Sequence, residues 1–469
     1  MEETGEEGSR LKRSLNLLDI LFIGIGAIIG AGIFVLAGVA AALHAGPAVI
    51  ASFVVAGVAC GFAALCYAEF ASMIPVSGSA YTYSYSTLGE LVAWIIGWDL
   101  ILEYAVGAIA VSIGWSGYLV ELLGAAGMHL PTAISGSPLA VPGAIINLPA
   151  MFIVLLLTGL LVLGTKESAG INTALVAVKI IVIIIVIAVG FSFVNPKNYD
   201  PFMPFGIGGI FGGAAIVFFA YIGFDAASTT AEEAKNPQRD LPIGIIGALV
   251  ISTALYIMAA VVLTGMVPYT ELNQSAPFAY AFTKYHVTWA TAVVSAGAIA
   301  GITSVLLVSL LAQPRIFFSL SRDGLLPKGI AKVHPRFKTP YKATLITGIA
   351  VAIFAGFLPI GVAAELTNIG TLFAFFLVSV GIIILRKKRP DLHRPFKVPL
   401  VPWLPAAGAI MCLLLMFSLP ALTWYRFIGW LGFGLLIYAN YGYHRSRILK
   451  KRQEEAAQEV VEVQADEGP

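Results

Sequence analysis

The sequence predicts an all-α polytopic membrane protein with twelve transmembrane helices, the first ten forming two five-helix halves of opposite orientation. Three observations carry this. Hydrophobic residues fill 58% of the 469 positions and charged ones 12%, against about half and about a quarter in soluble domains. The apolar residues gather in twelve runs, most of them near the ~20 residues that span a bilayer as a helix. The basic residues are segregated between alternate loops. A mean hydropathy of +0.89 excludes a soluble enzyme, a disordered chain and a collagen-like fibre. The net charge of +2 gives no case for nucleic acid; the lipid bilayer is the partner this composition demands.

The elements follow in order. Residues 1–14 are polar and acidic with no apolar core, so they are a cytoplasmic segment and not a cleavable signal. The first hydrophobic helix then acts as an uncleaved insertion signal. Apolar spans run near 17–41, 48–73, 88–122, 147–164, 170–194, 206–230, 242–267, 288–320, 343–360, 364–385, 400–420 and 422–443. The third and eighth are too long for a perpendicular helix, which predicts tilt or an in-plane turn. Spans one to five make a first repeat over 15–194, and spans six to ten a second over 205–386. An odd number of spans per half inverts one half relative to the other. Helices eleven and twelve occupy 400–445, and 446–469 is a charged cytoplasmic tail, partly helical or disordered. Cys60, Cys66 and Cys412 lie in apolar runs without a CxxC pair and read as small buried hydrophobes.

Lysine and arginine fix the orientation. With the amino terminus inside, inner segments hold 24 of the 28 basic residues and outer loops three: Lys197, Lys284 and Arg426. Both termini are therefore expected in the cytoplasm. Lys179 is the remaining one, inside span five.

Span one carries Gly24, Gly26, Gly30 and Gly32 in its middle, and span six carries Phe219-Ala220-Tyr221-Ile222-Gly223-Phe224-Asp225. Glycine loosens a helix by about 1 kcal/mol relative to alanine. A break frees N–H and C=O groups that hydrocarbon cannot satisfy, so they must face a cavity or a ligand. Freed amides at a half-helix start favour a carboxylate and freed carbonyls an ammonium. Two breaks in corresponding places can thus hold both ends of a free α-amino acid. The plainer alternative is close helix packing through small residues.

These residues also carry a resemblance. Gly26-Ala27-Ile28-Ile29-Gly30-Ala31-Gly32-Ile33-Phe34 resembles the first-helix signature of amino acid permeases in the amino acid–polyamine–organocation superfamily. Pro75–Tyr81, Gly97-Trp98, Glu232–Pro242 and Ser321–Pro327 add to it, over about residues 14–445. Trp98-Asp99-Leu100-Ile101-Leu102-Glu103-Tyr104 tilts it towards bacterial relatives of the cationic amino acid transporter branch. The resemblance implies a leucine-transporter-type five-plus-five fold and alternating access. It places the substrate carboxylate on the amides of Ala31 and Gly32, beside Gly30. The amine falls on the carbonyls of Ile28, Phe219, Ala220 and Ile222, with Phe219 as a gating aromatic.

The buried charges extend the reading. Lys179 lies roughly 13 Å into span five at 1.5 Å per residue. A lysine there must be paired, hydrated or neutral. In sodium-coupled relatives a cation sits between helices one and eight, beside span five, so Lys179 is expected to replace sodium and couple transport to protons. Snorkelling to the inner face is the alternative. Glu103 and Asp99 share a face of span three one turn apart. Glu103 is a candidate to receive a cationic side chain, order water or carry a second proton; a structural hydrogen bond is the alternative. Asp225 is expected to fix the second break, and Glu69 and Asp19 to be gate or structural charges. Ser304 and Ser309 can bond their own helix. A residue as small as Ser309 would leave room for arginine or lysine besides small neutral amino acids.

The function expected is secondary active symport of L-amino acids with protons favoured over sodium, at the plasma membrane, without cofactor or metal. Exchange, or an amino-acid sensor on the same fold, are the alternatives; an accessory small membrane protein is left open. No HExxH, GxSxG or P-loop supports an enzyme.

Overall fold

The computed structural model describes residues 15–73, 89–163, 169–224, 234–327, 329–330, 332, 334 and 339–443. Helix α1, Leu17–Ile28, starts at a capping box. The Asn16 side chain accepts from the Leu18 and Asp19 amides, and Asp19 accepts in return from the Asn16 amide. Asp19 is thereby a structural charge. The chain continues as mixed π- and α-helical turns over Gly32–Ala45 into α2, Val49–Met73. Then come α3 (Glu90–Ala125), α4 (Leu148–Leu163), α5 (Ala169–Gly190) and α6 (Gly206–Val217). They are followed by α7 (Pro237–Met266), α8 (Pro277–Lys284), α9 (Thr288–Arg322), α10 (Tyr341–Phe357), α11 (Ile360–Lys388), α12 (Trp403–Phe417) and α13 (Ala421–Ile437). The described residues contain no β-strand, only isolated bridges such as Leu15 with Ala234.

Six described stretches are long and apolar enough to cross a membrane: Leu17–Met73, Glu90–Ala125, Val176–Phe193, Pro237–Met266, Thr288–Ser321 and Ile360–Lys388. Trp403–Phe417 and Ala421–Gly442, bent by 113°, add a seventh if taken together, and Leu148–Leu163, Gly206–Tyr221 and Tyr341–Phe357 are shorter apolar helices. The described residues thus show six long apolar stretches, seven with the bent pair, and three shorter apolar helices, fewer full-length spans than the twelve expected. Spans three and eight, expected to tilt or turn, are single helices of 36 and 35 residues, the second carrying Pro314. Large apolar side chains such as Ile346, Val250 and Leu436 stay about three-fifths exposed, as suits a chain whose solvent is lipid.

Helix α3 runs through the middle, packed on α9 and α11, while α2 packs on α7 and α1 on both α7 and α5. Its outer seam with α13 is aromatic. The Trp98 indole donates to Trp430 O (2.9 Å), Trp430 donates back to Trp98 O (3.1 Å), and Trp94 donates to Gly434 O (3.0 Å). Glu69 of α2 is fully buried and accepts from Arg386 of α11 at both carboxyl oxygens and from the Val398 amide at 2.7 Å. Arg394 closes the cluster 3.3 Å away. The motifs Pro75–Tyr81 and Glu232–Glu233, Asp225, the amino-terminal segment 1–14 and the tail 446–469 lie outside the described residues.

Candidate functional site

Both glycine-rich stretches interrupt their helices. α1 stops at Ile28, Ile29 turns extended (φ −77°, ψ 105°), and helical winding resumes as a π-turn at Gly32. α6 stops at Val217, tightens into a 3-10 turn over Phe218–Tyr221 and turns extended at Ile222 (φ −61°, ψ 134°). Gly223 follows with φ +112°, a conformation that glycine alone adopts without strain. The two breaks lie against each other. A methyl on Gly32 would strike the Ala220 backbone, and one on Gly223 would stand 2.6 Å from Ala27 O. These glycines are there for close approach of backbone to backbone.

The freed carbonyls have few donors. Lys179, wholly buried on α5, donates from Nζ to Gly26 O at 2.7 Å. Its stem lies across α9, where a methyl on Gly301 would meet Lys179 Cγ at 2.9 Å and Cε at 3.4 Å. The ammonium thus joins α1, and its carbon chain covers the α9 backbone. The Tyr256 hydroxyl on α7 sits 3.0 Å from Ile28 O and 2.9 Å from Ala220 O. One hydroxyl proton faces two acceptors, so the pair of breaks keeps unused acceptor capacity. Asn368 on α11 donates to Ala215 O (2.7 Å) and Ile216 O (3.1 Å), holding the carbonyls just before the second break. Tyr118 on α3 donates to Phe34 O (2.6 Å) after the first.

Of the residues singled out in the sequence, Ile28, Gly30, Ala31, Gly32, Phe219 and Ala220 are buried and Ile222 half-buried. Ile28 and Ala220 meet through Tyr256, Gly32 meets Ala220 directly, and Gly30 faces Val305 of α9. α3 reaches Ala31 at Gly114, where an added methyl would stand 3.4 Å from the Ala31 Cβ. Glu103, also buried, lies eleven residues earlier on that helix, roughly 16 Å along its axis. Ser309 donates to Val305 O at 3.0 Å and Ser304 to Gly301 O at 3.0 Å, so both hydroxyls are spent on their own helix. What Ser309 offers the interior is small size.

Tyr256 and Asn368 were not among the sequence candidates. A phenol in the middle of an apolar span must find a polar partner, and so must an amide. That was the available signal, although it names no partner. Beyond the spans, Glu271 and Lys284 pair at 2.7 Å; the hydrogen bond from Lys284 lowers the Glu271 carboxyl from its ordinary value and raises the lysine. No group of three or more His, Cys, Asp or Glu among the described residues could hold a metal ion.

Residues 15–438 match the family model described as amino acid permease. The chain belongs to the amino acid permease family. Among its relatives, this permease is 50% identical to the methylthioribose transporter of Bacillus subtilis over 94% of this chain and 95% of the relative. It is also 50% identical to the branched-chain amino acid permease of Bacillus subtilis, over 93% and 95%. It shares 41% with the vacuolar cationic amino acid transporter 2 of Arabidopsis thaliana, over 82% of this chain and 61% of the relative. The family is one of transporters, not enzymes, and this permease is a multi-pass membrane protein.

Proposed function

We propose that this permease is a secondary active transporter of free L-amino acids, coupled to protons as a symporter and working by alternating access. In this reading it has twelve spans in a five-plus-five inverted arrangement over 15–194 and 205–386, lies in the plasma membrane and keeps both termini in the cytoplasm. The carrying observation is the pair of helix breaks in backbone contact, whose Ile28 and Ala220 carbonyls share one Tyr256 hydroxyl. A substrate ammonium supplies the missing donors to Ile28, Phe219, Ala220 and Ile222. The amides of Ala31 and Gly32, at the start of the resumed helix beside Gly30, receive the carboxylate. Phe219 closes over the bound molecule.

Lys179 is the coupling group in this reading. Its ammonium bonds Gly26 O and its stem covers α9, the space that a coupling cation would otherwise fill between those helices. Loss of its proton would release α1 from α5. Ser309 leaves space for arginine and lysine beside small neutral amino acids, and Glu103 serves the cationic end, directly or through water. The test is uptake of labelled alanine, leucine and arginine into proteoliposomes, with proton and sodium gradients imposed separately. Accumulation driven by an inward proton gradient, without sodium or ATP, is expected; accumulation with sodium alone would overturn the coupling. Exchange as the sole mode would show as uptake only into vesicles preloaded with amino acid. The equal identity to a relative named for methylthioribose gives a second reading of the substrate, and unlabelled methylthioribose belongs among the competitors. It is expected not to compete, because it lacks the ammonium and carboxylate that the two breaks would hold.

A further inference from the structure

Asp99 has no part in the reading above. It lies on α3 with no exposed surface, and neither carboxyl oxygen has a hydrogen-bond partner among the described residues. What faces it is backbone: a methyl on Gly370 of α11 would stand 2.7 Å from Asp99 Oδ1. The hydroxyls flanking that glycine are turned into their own helix, Thr367 donating to Ala363 O and Thr371 to Thr367 O. The elements packed on α3 are α4, α8, α9, α10, α11 and α13. Their charged groups are committed elsewhere or make no ion pair with Asp99. Glu365 of α11 accepts from Thr423, Arg386 of α11 holds Glu69, and Lys284 of α8 holds Glu271. Arg315 of α9, Lys342 of α10, Lys387 and Lys388 of α11 and Arg426 of α13 form no described salt bridge with it, and α4 carries no charge. On its own helix, Glu103 is the next acid along the stripe that faces α11, with Gly107 beyond it against Thr367.

A buried carboxylate with no cation or donor beside it among the described residues is costly in its charged form. The absence of a side chain at Gly370 lets the α11 backbone seal it. We infer that Asp99 is a proton-binding site of the cycle, distinct from Lys179, loaded while α3 and α11 touch at Gly370 and emptied when that seam opens to water. On release the carboxyl O–H bond breaks, the proton passes to water, and a hydrated carboxylate remains. The release step rests on the transport reading; the bound proton does not.

Infrared difference spectroscopy on the full-length purified protein tests the bound proton first. A protonated-carboxyl C=O band is expected that Asp99→Asn removes and Glu103→Gln leaves. Should Asp99→Asn fail to fold, Gly370→Ala replaces it, since the added methyl presses on Oδ1 and must shift the same band. No such band, or one that neither change moves, overturns the inference. Proteoliposomes test the release: Asp99→Asn is expected to lower pH-gradient-driven uptake about ten-fold or more, as for loss of a group that moves a proton, and to flatten its pH profile. An unchanged profile overturns the release step. A wild-type protein with the band but no uptake of any amino acid would instead sink the transport reading.

Discussion

The two breaks and the Glu69 cluster are both buried polar sites in an apolar bundle, and they solve the same problem in opposite ways. Glu69 is saturated: its two oxygens receive Arg386 and the Val398 amide, with Arg394 beside them. Both carboxyl oxygens are taken, and the cluster fastens α2 to the end of α11 and to the segment after it. The breaks are undersupplied. Ile28 O and Ala220 O share one hydroxyl, and Gly26 O takes one bond from the Lys179 amine of another helix. A saturated buried site holds a structure together, whereas an unsaturated one is where a molecule with spare donors can enter.

The sharpest way to break that comparison is to close the breaks. Gly32→Val pushes a branched side chain into the Ala220 backbone, and transport is expected to vanish while the protein still inserts, as seen by uptake assay beside membrane yield. Next comes Lys179→Ala, which should reduce uptake driven by a pH gradient to background; undiminished gradient-driven uptake would remove Lys179 from coupling. On the saturated side, Glu69→Gln strands Arg386 and Arg394 and is expected to cost about 3–5 kcal/mol of stability, read as a lower melting temperature in detergent. Tyr256→Phe removes the shared donor without changing the packing. Because that hydroxyl competes with the substrate ammonium for the same carbonyls, losing one hydrogen bond of about 1 kcal/mol corresponds to a fall in KM of roughly five-fold, with a smaller change in maximal rate.

The smallest effect belongs to Glu271 and Lys284, whose side chains are 38% and 40% exposed. The lowered Glu271 value gives stability that is present above the ordinary carboxyl pKa and lost as pH falls through the lowered one. The raised Lys284 value gives stability that is present below the ordinary lysine pKa and lost as pH rises past the raised one. The pair therefore helps across neutral pH. Solvent screening holds it below about 1 kcal/mol. Glu271→Gln should melt slightly lower than wild type at neutral pH and at the same temperature in acid.

Much of this was legible in the chain. Glycines at 24, 26, 30 and 32 and at 223 announced the interruptions, because mid-membrane glycine both loosens a helix and lets backbones touch. Lys179 stood out as the one lysine within an apolar run, and in the fold it donates to Gly26 O and lies against Gly301. The partners were not legible. Arg386 lies 317 residues from Glu69, and Tyr256 lies 228 from Ile28. Nothing local specifies such pairings; they follow from which helices pack. Ser309 shows the converse, since its hydroxyl is claimed by a carbonyl four residues back, leaving its size as its contribution. Helix lengths were blurred as well, because hydropathy marks lipid-facing and buried apolar residues alike, while caps and bends decide where each helix stops.

In the proposed function, two interrupted helices hold both charged ends of one free amino acid. Competition binding on the purified protein tests it with alanine, N-acetylalanine and alaninamide. Alanine should displace a bound labelled amino acid, whereas N-acetylalanine, which lacks the ammonium, and alaninamide, which lacks the carboxylate, should not. Equal displacement by all three would contradict the account.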